Sequence, residues 1–185
     1  MAQSRFLRLS GTALLAAGMV YLLDTALDKL LPQLNPGIGA LVSVLGLIGL
    51  PGLWLSLDRQ EDPVAQLSYA LLMAATAGVA ALAFVANLIL PGLPAEARSA
   101  VLAVAGPKFA AIGLAFLLSA ALFCIVTRRA NPRIRSGAML YLLGAVIVGL
   151  RPVIPASLHV LDGVLIGGAL LIWGYDLVSS HRRTV

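Results

Sequence analysis

The sequence is poor in charged residues and has a single cysteine, and each shortage excludes a class of protein. Charged residues make up 11% of the 185 residues, whereas 60% are hydrophobic. One thiol, Cys124, can form neither an internal disulfide nor a cysteine zinc cluster, so it is predicted to be a buried packing residue. The two histidines, His159 and His181, are predicted at opposite membrane faces and cannot jointly hold a haem. There is no nucleotide-binding glycine loop either, so the sequence predicts no cofactor and no metal site.

The hydrophobic residues fall into six apolar stretches, each about long enough to cross a bilayer. The mean hydropathy of the chain is +0.97. A transmembrane helix needs about 20 residues, so six helices take up roughly 120 residues and leave short loops but no soluble domain. The sequence therefore predicts one all-α domain over residues 1–185, a polytopic transmembrane bundle of six helices.

Charged residues, prolines and glycines mark the ends of these stretches, because helices that are apolar on most faces lack a useful periodicity. The six helices are predicted at about 9–31, 38–57, 64–90, 100–127, 136–151 and 158–178. The fourth is long for one crossing. Either it tilts, or residues 100–106 lie along the interface and the crossing begins near Pro107.

Most basic residues lie on one side of this arrangement. They are Arg5, Arg8, Arg59, Arg128, Arg129, Arg133, Arg135, Arg182 and Arg183. The positive-inside rule predicts that both termini, which lie on this side, are cytoplasmic, and that the arginines face anionic membrane lipid and not nucleic acid. Trp54, Trp173 and Tyr175 are then predicted at the cytoplasmic interface. The abundance of Arg, Ala, Gly and Leu favours a bacterial source, and hence the bacterial cytoplasmic membrane.

An internal repeat relates the first and fifth helices. The pattern SGxxLxxxGxV begins at Ser10 and again at Ser136, at a constant offset of 126 residues. Both helices are predicted to start at the cytoplasm, so the hairpins of helices one-two and five-six are predicted to be parallel copies.

Small residues indicate where helices can approach closely in lipid. Helix two has Gly39, Ser43 and Gly46, helix three has Ala70, Ala74, Ala77 and Ala81, and helix six has Gly163-x-x-x-Gly167. The pattern in helix six is interpreted either as a dimer face or as a contact between helices of the same chain.

Seven polar side chains form a candidate site near the non-cytoplasmic interface. They are Tyr21, Asp24, Asp28, Lys108, Arg151, His159 and Asp162. The first three share one face of helix one, and the last two share one face of helix six. Ionisable groups at membrane depth are costly and therefore mark function by default.

Two interpretations of this cluster stay open. In one, it is a ligand pocket in which Lys108 and Arg151 bind anionic groups and the carboxylates bind donors. In the other, Asp24 pairs with Arg151 and these groups only lock helix ends. A second pair of that kind joins Asp162 to Lys108.

No enzyme class fits the sequence well. The Tyr175-Asp176 pair resembles one half of the site of intramembrane aspartyl proteases. The second aspartate should lie at the same depth, but Asp162 is about 21 Å away along the same helix. Asp176 is instead predicted to pair with Arg182 or Arg183, and no catalytic residue is predicted.

Two segments carry a family resemblance. The run LFCIVTRRANPRIRSGAMLYLL, from Leu122 to Leu143, and the run GALLIWGYDL in the last helix resemble small six-helix bacterial integral membrane proteins with a domain of unknown function. The resemblance covers the C-terminal third of the chain. It implies an architecture and no activity.

The sequence thus predicts a non-enzymatic membrane protein that binds or transports a small or lipid-like ligand through an outward-facing pocket. One alternative is an accessory or scaffold subunit, in a homo-oligomer or a larger membrane complex. A second alternative is an enzyme acting on lipid or quinone headgroups.

Overall fold

The computed structural model describes residues 2–31, 37–151 and 153–180, which form six α-helices with no strand among them. The helices are α1 (Ala2–Leu30), α2 (Ala40–Leu55), α3 (Pro63–Phe84), α4 (Ala95–Thr127), α5 (Pro132–Leu150) and α6 (Val160–Ser180). A π-helical turn (Val85–Ile89) and a 3-10 turn (Leu90–Gly92) follow α3, and a 3-10 turn (Ala156–Leu158) precedes α6. The prediction of an all-α fold with six helices is confirmed.

Five of these helices are long and apolar enough to cross a membrane. Their candidate spans are Gln3–Leu30, Pro63–Gly92, Ala95–Thr127, Pro132–Leu150 and Val160–Ser179. The other helix, α2, has 16 residues. At 1.5 Å per residue it is about 24 Å long, less than the roughly 30 Å of a bilayer's hydrocarbon core. The described helices indicate a multi-pass membrane protein.

Helix boundaries differ from the predicted ones mainly at the starts. Helix α1 begins at Ala2, ahead of the predicted Leu9, because Arg5 and Arg8 are good helix formers that extend an apolar helix into the interface. Helix α4 is continuous from Ala95 to Thr127, with Pro107 inside it. This continuity favours a tilted α4 over a separate interfacial segment.

Polar caps followed by proline fix the starts of α3 and α5. The Asp62 carboxylate accepts hydrogen bonds from two backbone N–H groups of α3, at 2.9 and 3.4 Å. The Asn131 side chain accepts one from α5, at 2.9 Å. The prolines that follow, Pro63 and Pro132, suit the first helical position because no backbone N–H is needed there.

The helices pack as a ring. Each helix lies antiparallel against its neighbour in sequence, and α6 packs against α1. The backbones of α1 and α6 nearly touch: a Cβ at Gly18 would lie 2.7 Å from the carbonyl oxygen of Gly167, and Gly11 faces Gly174 in the same way. Because α1 also covers Gly163, the interpretation of Gly163-x-x-x-Gly167 as a contact within the chain is confirmed, and its interpretation as a dimer face is wrong.

The two ends of the ring differ chemically. We call one the Arg-rich end: α1, α3 and α5 begin there, and its described arginines are Arg5, Arg8, Arg59, Arg128, Arg129, Arg133 and Arg135. At this end Arg59 forms an ion pair with Asp62 and donates a hydrogen bond to the carbonyl oxygen of Val126, at 2.9 Å. We call the opposite end, where α2, α4 and α6 begin, the mouth end.

Asp176 joins α6 to the α4–α5 loop at the Arg-rich end. Its carboxylate is buried and accepts hydrogen bonds from the Asn131 amide (3.0 Å) and the Arg133 guanidinium (3.5 Å). The predicted partners Arg182 and Arg183 lie outside the described residues. The α4–α5 loop, whose arginines predict the orientation of the protein in the membrane, therefore also holds α6 in place.

An aromatic cluster forms the centre of the core. Ring centroids are 5.4 Å apart for Phe116 and Tyr141, 5.1 Å for Tyr141 and Trp173, and 5.6 Å for Phe123 and Trp173. Trp173 is fully buried, and its indole N–H donates to the carbonyl oxygen of Ile134 at 3.1 Å. Trp173, predicted among the interfacial aromatics near the end of the last helix, is therefore a core residue: its one polar atom is satisfied by the first turn of α5, so the whole ring can be buried.

Candidate ligand site

A cavity of about 450 Å³ lies inside the ring, between the aromatic cluster and the mouth end. All six helices contribute to its wall, and the apolar wall residues include Val42, Leu50, Val79, Leu82, Phe109 and Ile166. Phe116 and Tyr141 form its floor, with Phe123 and Trp173 buried beneath them. The volume is within the range of about 300–1,000 Å³ that small-molecule sites occupy.

Two glycines line this cavity without a side chain to fill it. Gly46 of α2 and Gly106 of α4 both line the cavity. A Cβ atom at Gly106 would meet nothing within 4 Å, and one at Gly46 would meet only Thr76, at 3.9 Å. A larger side chain at either of these lining positions can therefore begin without displacing a neighbour.

Polar groups from α1 surround the mouth of the cavity. Tyr21, Asp24 and Asp28 line it, as expected for three residues on one helix face. The Asp24 carboxylate accepts a hydrogen bond from the backbone N–H of Gly39, at 2.9 Å. Since Gly39 immediately precedes α2, this carboxylate sits at the positive end of the α2 dipole and holds α2 against α1.

Arg151 completes the mouth through an ion pair with Asp162. The guanidinium Nε and Nη2 atoms lie 3.0 and 2.5 Å from one carboxylate oxygen. The Asp162 side chain is only 3% exposed, whereas that of Arg151 is 49% exposed. Burial acts to lower the pKa of Arg151, but the charge and the hydrogen bond of Asp162, together with Tyr21 and Asp28, outweigh it and raise the pKa above its ordinary value. The pair is therefore a fixed charge-neutral unit at the rim.

A second cavity, of about 400 Å³, adjoins the first. The two share Tyr21, Asp24, Asp28 and Arg151, which therefore stand between them. The second cavity is also lined by Thr25, Lys29, Ser157, His159, Val160 and Asp162. The Nε2 atom of His159 is buried and has no hydrogen-bond partner among the described residues.

The structure brings six of the seven predicted site residues to these two cavities. The seventh, Lys108, is exposed on α4 and lines neither of them. The predicted ion pair of Asp162 with Lys108 is wrong, because Arg151 holds Asp162. Asp24 binds the Gly39 N–H, in place of the predicted pair with Arg151.

Sequence reasoning missed several polar residues that line the central cavity: Ser43, Thr76 and Asn87. The first two are ordinary small residues of an apolar helix, and Thr76 bonds its own helix by donating to the carbonyl oxygen of Leu72, at 2.7 Å. Asn87 carried a usable signal, since it is the one asparagine inside a predicted membrane helix.

Comparisons with protein-family models, with curated proteins and with solved structures found no match. Within the described ranges, no group of three or more His, Cys, Asp or Glu side chains is placed to hold a metal ion. The geometry of the two cavities is therefore the basis on which a function can be argued.

Proposed function

We propose that this protein binds an amphipathic small molecule in the central cavity. The apolar part of the ligand lies between the helices, and its polar group lies at the mouth beside Asp24 and Arg151. One observation carries the proposal: a cavity of about 450 Å³ has apolar walls, an aromatic floor and a polar rim. Gly106 at the mouth and Phe116 at the floor are about 15 Å apart along α4, the length of a medium-chain alkyl group.

The closed floor favours binding over free passage. The cavity ends at Tyr141 and Phe116, and the Arg-rich half of the ring is filled by side chains such as Phe123 and Leu53, which are less than 3% exposed. A transport role would require the aromatic floor to move. We therefore place ligand capture first and regard transport as an extension of it.

We also propose that the mouth end faces outward from a bacterial cytoplasmic membrane. The support is the arginine content of the opposite end, which suits the anionic cytoplasmic leaflet. The relation of the α1–α2 hairpin to the α5–α6 hairpin by an internal repeat stays a prediction.

Quenching of Trp173 fluorescence tests whether the cavity takes an amphiphile. Trp173 contacts Tyr141 of the floor but is itself fully buried, so a quencher in the surrounding lipid cannot touch it. In a Trp54→Phe background Trp173 is the single tryptophan. We expect 11-bromoundecanol, added to the protein in phosphatidylcholine nanodiscs, to quench it saturably, because the bromine at the chain end reaches the floor.

Matched glycine variants supply the control. Gly106→Phe fills the cavity and should abolish the saturable quenching, and Gly46→Leu should do the same from α2. Gly168→Phe makes an equally large change on α6, where a Cβ meets nothing within 4 Å and neither of the two cavities is lined. Equal quenching in Gly106→Phe and Gly168→Phe would show that the bromine reaches Trp173 by another route and would overturn the proposal.

A second candidate function is that of an accessory subunit. Its specific support is the row Ala70, Ala74, Ala77 and Ala81, which is exposed along the outer face of α3. Exposed small residues let another membrane helix approach closely. Cross-linking between single cysteines placed in this row, in detergent and in membranes, distinguishes a protein that self-associates from one that stays monomeric.

A further inference from the structure

The α4–α5 loop carries the densest positive charge in the chain. Four of the eight residues from 128 to 135 are arginines, none is acidic, and all four arginines are exposed. Within the described ranges, the one carboxylate that pairs with the loop is that of Asp176. Four arginines against one aspartate leave a net charge of +3 on this surface. Like charges so close together repel one another, so the loop favours an anion.

An exposed tyrosine indicates the depth of this loop. Tyr175 of α6 is 57% exposed, and the Arg133 guanidinium lies 5.3 Å from the centroid of the Tyr175 ring. Tyrosines of membrane helices are enriched at the level of the lipid head groups, where the ring contacts lipid and the hydroxyl contacts water. We therefore expect the loop to lie at the head-group level.

Exposed apolar side chains follow the arginines along both helices. On α5, Met139 is four residues from Arg135 and is 56% exposed; on α4, Ile125 is four residues from Arg129 and is 57% exposed. Residues four apart lie on one face of a helix, so each helix carries an apolar stripe that ends in arginine. The same faces continue with the exposed side chains of Leu143 on α5 and of Leu118 and Leu114 on α4.

The two apolar stripes lie side by side. Helices α4 and α5 are neighbours in the ring and pack closely, since a Cβ at Gly149 would lie 3.4 Å from the Leu117 side chain. From Ile125 to Leu114 the stripe on α4 is about 16 Å long, which is about half of the roughly 30 Å hydrocarbon core. The stripes are therefore as long as one leaflet is thick.

The partner that matches both parts of this surface is a phospholipid with a net negative charge. Guanidinium groups bind phosphate oxygens in bidentate geometry, and acyl chains cover exposed leucine, isoleucine and methionine side chains. A nucleic acid or a soluble anion would match the arginines alone. A zwitterionic lipid adds a cation, which the positive loop repels.

We infer that one anionic phospholipid binds this surface, which we call the α4–α5 strip. Its phosphate group lies at Arg128, Arg129 and Arg135, and its acyl chains lie along the two apolar stripes. Such a site is independent of the central cavity and its ligand. The preference for anionic lipid is then concentrated at the strip and not spread evenly over the Arg-rich end.

Quenching of a tryptophan on the strip by brominated lipid measures this preference. The reporter is Met139→Trp in the Trp54→Phe background, where the remaining native tryptophan, Trp173, is fully buried and out of reach of lipid. Phosphatidylcholine vesicles receive increasing amounts of phosphatidylglycerol, with dibromostearoyl chains on one lipid or the other. We expect the reporter to favour phosphatidylglycerol over phosphatidylcholine by about fivefold or more.

A reporter on α1 supplies the comparison at the same end. Leu9 is 61% exposed, lies one turn from Arg5, and is separated from α5 by α6. Leu9→Trp reports the general attraction of anionic lipid to the Arg-rich end, so we expect a preference of about twofold or less there. Raising the salt concentration shortens the Debye length from about 10 Å at 0.1 M to about 3 Å at 1 M. High salt should therefore bring the preference at Met139→Trp down to that at Leu9→Trp.

Charge-removing variants localise the effect. The triple variant Arg128→Gln, Arg129→Gln and Arg135→Gln should reduce the preference at Met139→Trp to about twofold or less. The matched control, Arg5→Gln with Arg8→Gln, removes charge from α1 and should leave that preference unchanged. All five arginines are exposed, so we expect both variants to fold, and circular dichroism checks that they do.

Three results would overturn the lipid site. Equal preference for phosphatidylglycerol at Met139→Trp and Leu9→Trp would show only a general attraction to the Arg-rich end. A preference that persists in the triple variant, or at 1 M salt, would show that the loop arginines do not bind the head group. If neither brominated lipid quenches Met139→Trp, protein and not lipid covers the strip, as in a contact with a second copy of this chain.

Discussion

At the scale of single residues, glycine decides both where this bundle is tight and where it is open. Gly18 and Gly167 bring the backbones of α1 and α6 into contact, whereas Gly46 and Gly106 leave empty space in the cavity wall. The same residue type thus has opposite structural consequences. In lipid, close packing replaces the hydrophobic effect as the force between helices, so the tight positions should dominate stability.

Alanine substitution at Gly18 tests this difference. A Cβ there would lie 2.7 Å from the Gly167 carbonyl oxygen and 2.8 Å from Leu171, so one of the two helices must move. We expect Gly18→Ala to lower the free energy of unfolding by about 1–3 kcal/mol, the usual cost of overpacking. Gly168→Ala is the matched control, since its Cβ meets nothing and alanine is the better helix former.

Denaturation in mixed micelles, followed by circular dichroism, measures both variants. The control should be as stable as the parent protein or more so. Equal destabilisation by Gly18→Ala and Gly168→Ala would mean that the loss comes from helix formation in general and not from the α1–α6 contact.

At the scale of helices, composition gave their number and approximate positions, because an apolar run of about 20 residues has few alternatives to a membrane helix. The ends were less predictable. Hydropathy places the start of α5 at Ser136, but the Asn131 cap and Pro132 start it four residues earlier. The π-helical turn that carries Asn87 leaves no pattern in the sequence, because no charged residue, proline or glycine lies within it.

The Asp62 cap gives the start of α3 a dependence on pH. Desolvation acts to raise the pKa of this carboxyl, but hydrogen bonds from Ala65 and Val64 and the charge of Arg59 outweigh it and hold the pKa below its ordinary value of 3.8. A lowered pKa stabilises the fold above that ordinary value, and the stabilisation is lost as the pH falls through the folded-state pKa. Acid should therefore loosen the α2–α3 turn.

Melting temperatures between pH 2.5 and 7 check this prediction. Asp62→Asn should melt below the parent protein at neutral pH, and the gap should narrow in acid as Asp62 of the parent becomes protonated. Glu61→Gln, one residue away and outside the cap, should show no such narrowing. A gap that stays constant with pH would show that the charge of Asp62 contributes nothing.

At the scale of the whole molecule, the sequence predicted which residues share a depth but not which of them meet. Tyr21, Asp24 and Asp28 line the same cavity because they lie on one face of α1. The pairing of Arg151 with Asp162 depends on α5 lying beside α6, which no local pattern encodes. Lys108 lies on α4 at the predicted depth of the mouth, but on a face of the helix that lines neither cavity. Depth follows from hydropathy, whereas rotation and neighbour order follow from close packing.

The orientation of the whole molecule in the membrane determines from which side a ligand can enter the cavity. If the Arg-rich end is cytoplasmic, the mouth opens to the outside, and ligands reach it from there or from the outer leaflet. The protein has one native cysteine, so a Cys124→Ala background allows single-cysteine reporters. Glu61→Cys lies in the exposed α2–α3 turn at the Arg-rich end, and Ser99→Cys lies on the exposed start of α4 at the mouth end.

We expect a membrane-impermeant maleimide to label Ser99→Cys in intact bacterial cells and Glu61→Cys only after lysis. The reason is that moving the Arg-rich end across the membrane would place Arg59, Arg128 and Arg129 on the side that the positive-inside rule disfavours. The cysteine-free background measures non-specific labelling, and labelling of both variants after lysis confirms that each thiol is reactive. Labelling of Glu61→Cys alone in intact cells would reverse the orientation, and the cavity would then take its ligand from the cytoplasm or the inner leaflet.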